Sequence, residues 1–203
     1  MNTTLLALPA LALGLALSLA APPADAAGRV KARGAHANPE GGVGAGRASA
    51  VRGPNGGGAI RGRAATTDGQ GNGKVVSGGA YRGPNGGTGA RAGSTARNAD
   101  GSLQHHSGAQ WNGANSSGST NGEFVRSADG TVSGGRTTNV AGAQGGSYNA
   151  DTQYANGQLD RSVDATGRSG NSYEASVSGN KDDGLTRTAT CYDPNGNTIP
   201  CKK

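Results

Sequence analysis

The sequence predicts an all-β protein, a repetitive up-and-down antiparallel meander of about ten short strands, in one twisted or curled sheet. A disordered Gly/Ala/Arg-rich leader is expected to precede it. Three observations carry this reading. Turn dipeptides recur at regular intervals, the segments between them alternate in polarity, and large apolar residues are too few for a thick core. Past Ala26 there are ten Val, two Ile, three Leu and one Phe. That is far below the roughly 20% under which disorder becomes the default reading. Burial contributes only about 25 cal/mol per Å², against roughly 1–2 kcal/mol to order each residue. A chain of this composition is either disordered or thin, repetitive and held together largely by backbone hydrogen bonds.

The N-terminus has a different character. Eight leucines lie before Ala20, in the apolar run Leu5 to Ala20, and Ala24-Asp25-Ala26 is a small-x-small cleavage site. Residues 1–26 therefore read as a secretory signal peptide, and no transmembrane span is expected after its removal. Residues 27–50, rich in Gly, Ala and Arg, read as a flexible leader. Residues 51–203 read as the β-hairpin repeat region, best ordered from about residue 118. Glycines multiply towards the start of that region, and each one inside a strand costs roughly 0.5–1 kcal/mol relative to Ala.

The turns fall into two series. One is Asn72-Gly73, Asp100-Gly101, Asp129-Gly130, Asn156-Gly157 and Asp183-Gly184. Between its members lie Asn55-Gly56, Asn85-Gly86, Asn115-Ser116, Gln144-Gly145, Gly170-Asn171 and Asn195-Gly196. Asn-Gly and Asp-Gly suit two-residue hairpin loops, in which both central residues take φ > 0. The strands between them show period two. Tyr148, Ala150, Thr152 and Tyr154 alternate with Asn149, Asp151 and Gln153; Leu159, Arg161, Val163 and Ala165 alternate with Asp160, Ser162 and Asp164. An aliphatic residue follows each turn of the first series (Val75, Leu103, Val132, Leu159, Leu185), and these are expected to stack into a thin ridge.

The repeat is clearest from Ser147 to Asp193, where Gly-Gly-Ser147-Tyr148 returns as Gly-Asn-Ser172-Tyr173. This unit, together with Arg126-Ser127-Ala128-Asp129-Gly130-Thr131-Val132, resembles uncharacterised glycine-rich exported repeat proteins of Gram-negative bacteria. In those, Gly-Gly-Ser-Tyr strands alternate with Asn/Asp-Gly turns and a Cys pair closes the C-terminus. The resemblance covers roughly residues 83–201 and implies no activity. There is a fainter likeness to MORN repeats, in which a Tyr precedes an Asn-Gly turn. The span from Tyr148 to Asn156 is longer than that pattern, and what the likeness implies is a single-layer array of hairpins.

Two cysteines, Cys191 and Cys201, flank Asp193-Pro194-Asn195-Gly196. In an exported chain they are expected to form a disulfide that clamps the last hairpin, opposite each other on paired strands. The charge is unevenly spread. Residues 27–97 hold eleven basic and two acidic residues, a net of +9; residues 98–203 hold eight basic and ten acidic, a net of −2. The basic half offers a candidate polyanion contact in Arg29, Lys31, Arg33, Arg47, Arg52, Arg61, Arg63 and Arg82. Trp111, Tyr148, Tyr154 and Tyr173 are a candidate binding face, the alternative being that they are simply the packed side of the sheet. Envelope polyanions or polysaccharides are the partners that fit an exported chain; intracellular nucleic acid is not.

Catalytic and cofactor signatures do not emerge. His105 and His106 are adjacent, so on a strand they face opposite ways and cannot share one ion. Asp68-Gly69-Gln70-Gly71-Asn72-Gly73 begins like a calcium loop but has Gly79 where the last acidic ligand belongs, and reads as a turn. The Gly53–Gly58 run lacks the Lys-Ser/Thr of a phosphate loop. The expectation is an exported, non-enzymatic β-repeat protein, without cofactor or metal, in the periplasm, at the cell surface or secreted. It would have a structural or binding role. The alternatives are a self-assembling fibre or matrix subunit, or a polyanion binder acting through the basic N-terminal half.

Overall fold

In a computed structural model, which describes residues 27–39 and 41–201, thirteen strands follow one another across a single sheet. They are β1 (Gly28–Ala37), β2 (Val43–Arg52), β3 (Gly58–Thr67), β4 (Gly73–Arg82), β5 (Thr88–Arg97), β6 (Leu103–Asn112) and β7 (Ser116–Arg126). After these come β8 (Val132–Gly142), β9 (Ser147–Ala155), β10 (Gln158–Thr166), β11 (Ser172–Asn180), β12 (Gly184–Tyr192) and the two-residue β13 (Thr198–Ile199). Spatial order equals sequence order and every pairing is antiparallel. This is the predicted meander, with a few more strands than expected. The expected signal peptide lies outside the described residues. Among the described residues no helix is long and apolar enough to cross a membrane.

Residues 27–50 are not a flexible leader: they form β1 and most of β2, paired from Gly28↔Arg52 to Ala37↔Val43. The segment has no hydrophobic alternation, which is why it reads as a linker. Its period of two lies in charge instead, with Arg29, Lys31 and Arg33 alternating with Val30, Ala32 and Gly34.

The two series of turns sort to the two ends of the sheet. Most loops are longer than two residues. In the β2–β3 loop the Gly56 N–H donates to the Gly53 carbonyl at 3.3 Å, and Gly53 N–H donates to Gly57 O at 2.7 Å. Gly56 then takes φ 77. The same arrangement recurs at Gly83/Gly86, Asn98/Gly101, Ser127/Gly130, Gly167/Gly170 and Asp193/Gly196. Here only the glycine is left-handed, and the Asn, Asp or Ser before it keeps negative φ. Asn156 (φ 53) is the one non-glycine with positive φ among the described residues, so Asn156-Gly157 alone is the two-residue turn expected at every site. Pro54, Pro84 and Pro194 were the available signal: two residues before the glycine, Pro presets the first turn position.

There is almost no interior. Among the described residues Ala150, at 7% exposure, is the one buried apolar side chain. It sits in a row with Thr138, Val163, Ala175 and Ala189 from neighbouring strands. The register divides the expected ridge between two rows. Val75, Leu159 and Leu185 share a row with Phe124 and Tyr154, while Leu103 and Val132 lie in the next row of the same face. It remains wet, with Leu185 at 63% exposure. Cross-strand contacts partly replace a core. The Tyr81 ring lies over Gly89 and the Trp111 ring over Gly118, where an added Cβ would overlap the rings. Neighbouring loops are also tied together: Asn38 Nδ2 donates to Thr67 O at 2.8 Å, and Ala99 N–H donates to Asn72 Oδ1 at 2.8 Å.

Cys191 and Cys201 form a disulfide with Cα atoms 5.3 Å apart. They are not directly opposite, since Cys191 pairs with Ile199 and Cys201 lies two residues beyond. The bridge therefore ties the chain end back past the shortest strand. With two residues of ladder, β13 depends on it, and closing a loop of this size contributes roughly 2–3 kcal/mol. Reduction should raise amide exchange across residues 193–199 while leaving β6 to β9 unchanged, as measured by hydrogen–deuterium exchange mass spectrometry. Uniform exchange over the sheet would contradict this.

Candidate binding face

Directly paired residues in an antiparallel sheet point to the same side, so the register assigns every strand side chain to one of two faces. Arg33, Arg47 and Arg63 stand opposite one another on three consecutive strands and define the front face. Arg29, Lys31 and Arg61 join them there. Further along, the same face carries Arg91, Arg97, Arg126, Arg136, Arg161 and Arg187. No strand carboxylate points to this side. Glu123, Asp151, Asp160, Asp164 and Glu174 all lie on the back. So do Arg52 and Arg82, which separates them from the other basic residues that sequence alone had grouped together.

Six of the seven aromatics lie on the front; Tyr192 lies on the back, donating to Glu174 Oε2 at 3.4 Å. Trp111, Tyr148 and Tyr173 occupy one front row with Tyr81, and Tyr154 and Phe124 another. The predicted aromatic face is thus also the arginine face, a coincidence that composition does not reveal. The two kinds of residue touch in the C-terminal half. Arg161 donates from Nη2 to Tyr148 Oη at 3.1 Å and from Nη1 to Thr152 Oγ1 at 3.3 Å. Arg187 donates to Tyr173 Oη at 3.0 Å. Arg136 lies across Gly122 and reaches Thr120 Oγ1 at 3.1 Å and Ser107 Oγ at 3.3 Å. These guanidinium groups are held flat by neutral acceptors and keep their charge uncompensated. In the N-terminal half Arg29, Lys31, Arg33, Arg47, Arg61 and Arg63 line a shallow trough of about 600 Å³.

The histidines separate as predicted. His105 faces front, with Nδ1 2.8 Å from Thr95 Oγ1, and His106 faces back, 3.8 Å from Glu123. The calcium-like segment is the β3–β4 turn, its carboxylate engaged by its own loop. Asp68 Oδ1 accepts the N–H groups of Gln70 at 2.8 Å and Asn72 at 3.0 Å. Asp193 repeats this, accepting from Asn195 N–H at 2.9 Å, Asn197 N–H at 2.8 Å and Asn197 Nδ2 at 2.9 Å. Among the described residues no three His, Cys, Asp or Glu converge on a point that would hold a metal ion.

No protein-family model matches the chain, and neither does any curated protein or solved structure. The chemistry of the two faces is accordingly the basis for a functional reading.

The turn aspartates give the fold an acid-sensitive component. The Asn72 side chain holds Asp68 below the ordinary carboxylate value of 3.8, and the Asn197 side chain does the same for Asp193. Asp100 and Asp129 are lowered by Ser102 and Thr131 respectively. Because the folded pKa is depressed, the stabilisation is fully present above about pH 4 and is lost as pH falls through the folded value. Exchange at the turn amides 70, 72, 195 and 197 should therefore rise below pH 4, and Asp193→Ala should loosen the last turn already at neutral pH. Turn amides whose protection is constant from pH 7 to pH 2 would contradict this account.

Proposed function

We propose that this protein is an exported, non-enzymatic sheet protein with a binding or structural role in the periplasm, at the cell surface or outside the cell, working through its broad faces. The observation that carries this reading is the sorting of charge and aromatic groups between two fully exposed faces of one layer. A single sheet of this width leaves nearly every side chain in contact with solvent. Its sequence places most of the strand arginines and six of the seven aromatics on one side and every strand carboxylate on the other. The Cys191–Cys201 disulfide supports an oxidising compartment, and the apolar run Leu5 to Ala20 with Ala24-Asp25-Ala26 supports export. Expressed with its own N-terminus in a Gram-negative host, the protein should be recovered outside the cytoplasm with Ala27 as its first residue. N-terminal sequencing of fractionated cells checks this, and full-length protein retained in the cytoplasm would reject the export reading.

A second reading, a self-assembling matrix subunit, draws on the outer edges of β1 and β12, which carry unpaired backbone groups. Arg29, Lys31 and Arg33 on β1 and the disulfide beside β12 blunt both edges. Prolonged incubation at high concentration should accordingly leave the protein soluble and monomeric by sedimentation velocity, whereas thioflavin-positive fibres would favour the matrix role.

A further inference from the structure

We infer that the front face is the binding site for a linear acidic polysaccharide, lying across the strands over β1 to β5. This rests on the binding role proposed above and specifies its ligand. Three features of the cation arrangement point to an extended polyanion. Arg33, Arg47 and Arg63 stand side by side on adjacent strands, about 4.8 Å apart. In the neighbouring row, Lys31, Arg61 and Arg91 stand on alternate strands, about 9.6 Å apart. Together they form two parallel tracks, one across three strands and the other across five. A small anion would meet one or two of these groups, whereas a charged chain running perpendicular to the strands would meet all of them.

The second feature is the cost of the arrangement without a ligand. Like charges directly opposite on paired strands are destabilising. Here three arginines are stacked with no carboxylate on that face. An anionic chain would remove the repulsion and release counterions as it bound. Third, the same face continues into an aromatic row in which the Tyr81 and Trp111 rings lie over glycines, each leaving one ring face turned outward. The flat C–H face of a pyranose suits such a platform. The disulfide supports an oxidising setting outside the cytoplasm, where acidic polysaccharides are among the linear polyanions. That favours polysaccharide over nucleic acid, whose bases would stack on the same rings.

The test uses the disulfide-bonded chain from residue 27 onward and measures binding to polygalacturonate, heparin, neutral dextran and a single-stranded oligonucleotide by isothermal titration calorimetry over a salt series. Polygalacturonate or heparin should bind with affinity falling steeply as salt rises, and dextran should not bind. Replacing the front-face arginines together, Arg33→Gln, Arg47→Gln and Arg63→Gln, should weaken binding at least tenfold and flatten the salt slope. The back-face set Arg52→Gln, Lys74→Gln and Arg82→Gln removes the same number of positive charges in the same half of the chain and should leave affinity within about twofold. Circular dichroism of each variant secures the fold, which loss of the stacked arginines should not weaken. Equal losses from front and back variants would overturn the face assignment. Tighter binding of the oligonucleotide than of either acidic polysaccharide would overturn the ligand class, and no binding to either would overturn the proposal while leaving the export reading intact.

Discussion

Register is the constraint on which the rest of this protein depends. In a sheet with no second layer, the backbone ladder supplies most of the cohesion, and each strand is fixed only by its two neighbours. Side chains alternate with a period of two, so a shift of one residue in any pairing would carry a whole strand's charges to the opposite face. The loops prevent this. A tight turn followed by a left-handed glycine fixes which residues meet, and the asparagines and aspartates that bond within each loop hold it there. The confinement of every strand carboxylate to the back, away from most of the arginines, is therefore a property of the loops as much as of the strands.

The absence of a core changes what individual residues contribute. Glycine, ordinarily a weakness inside a strand, here makes room for a flat ring or guanidinium on the neighbouring strand, as at Gly89, Gly118 and Gly122. Arginine stems lying along the sheet cover backbone while their heads stay in water, and Arg136 spans from β8 to β6 in this way. Such contacts are each worth roughly 0.2–1 kcal/mol, and they are repeated along the array rather than concentrated at one centre. Local opening of an end strand should thus cost little to the middle of the sheet, in contrast to a globular domain that unfolds as a unit.

The same geometry shapes the functional reading. A pocket concentrates chemistry from several elements at one point, while an open sheet spreads its chemistry over a plane. The front face presents uncompensated positive charge from β1 to β12, with four aromatic rings in a row along one end and Phe124 and Tyr154 towards the other. That pattern is matched to a long ligand with repeated charges better than to a small substrate, and it unites the basic and aromatic residues into one surface.

Much of this was legible in the sequence. Turn dipeptides, the alternation around Tyr148 and Leu159, the scarcity of aliphatics and the paired cysteines determined an all-β meander with a clamped C-terminus, because local turn chemistry and pleat periodicity are written in neighbouring residues. The first two strands were hidden because their alternation is one of charge on Gly and Ala, which carries no hydrophobic signal. The loop type was hidden because Asn-Gly serves both kinds of turn. Facing could be read within a strand but not between strands: Arg61 and Arg82 look equivalent in a basic segment, and only the pairing of β3 with β4 places them on opposite sides. What the tertiary structure alone decided is the union of arginines and aromatics on one face, since that depends on the sum of every loop length between them.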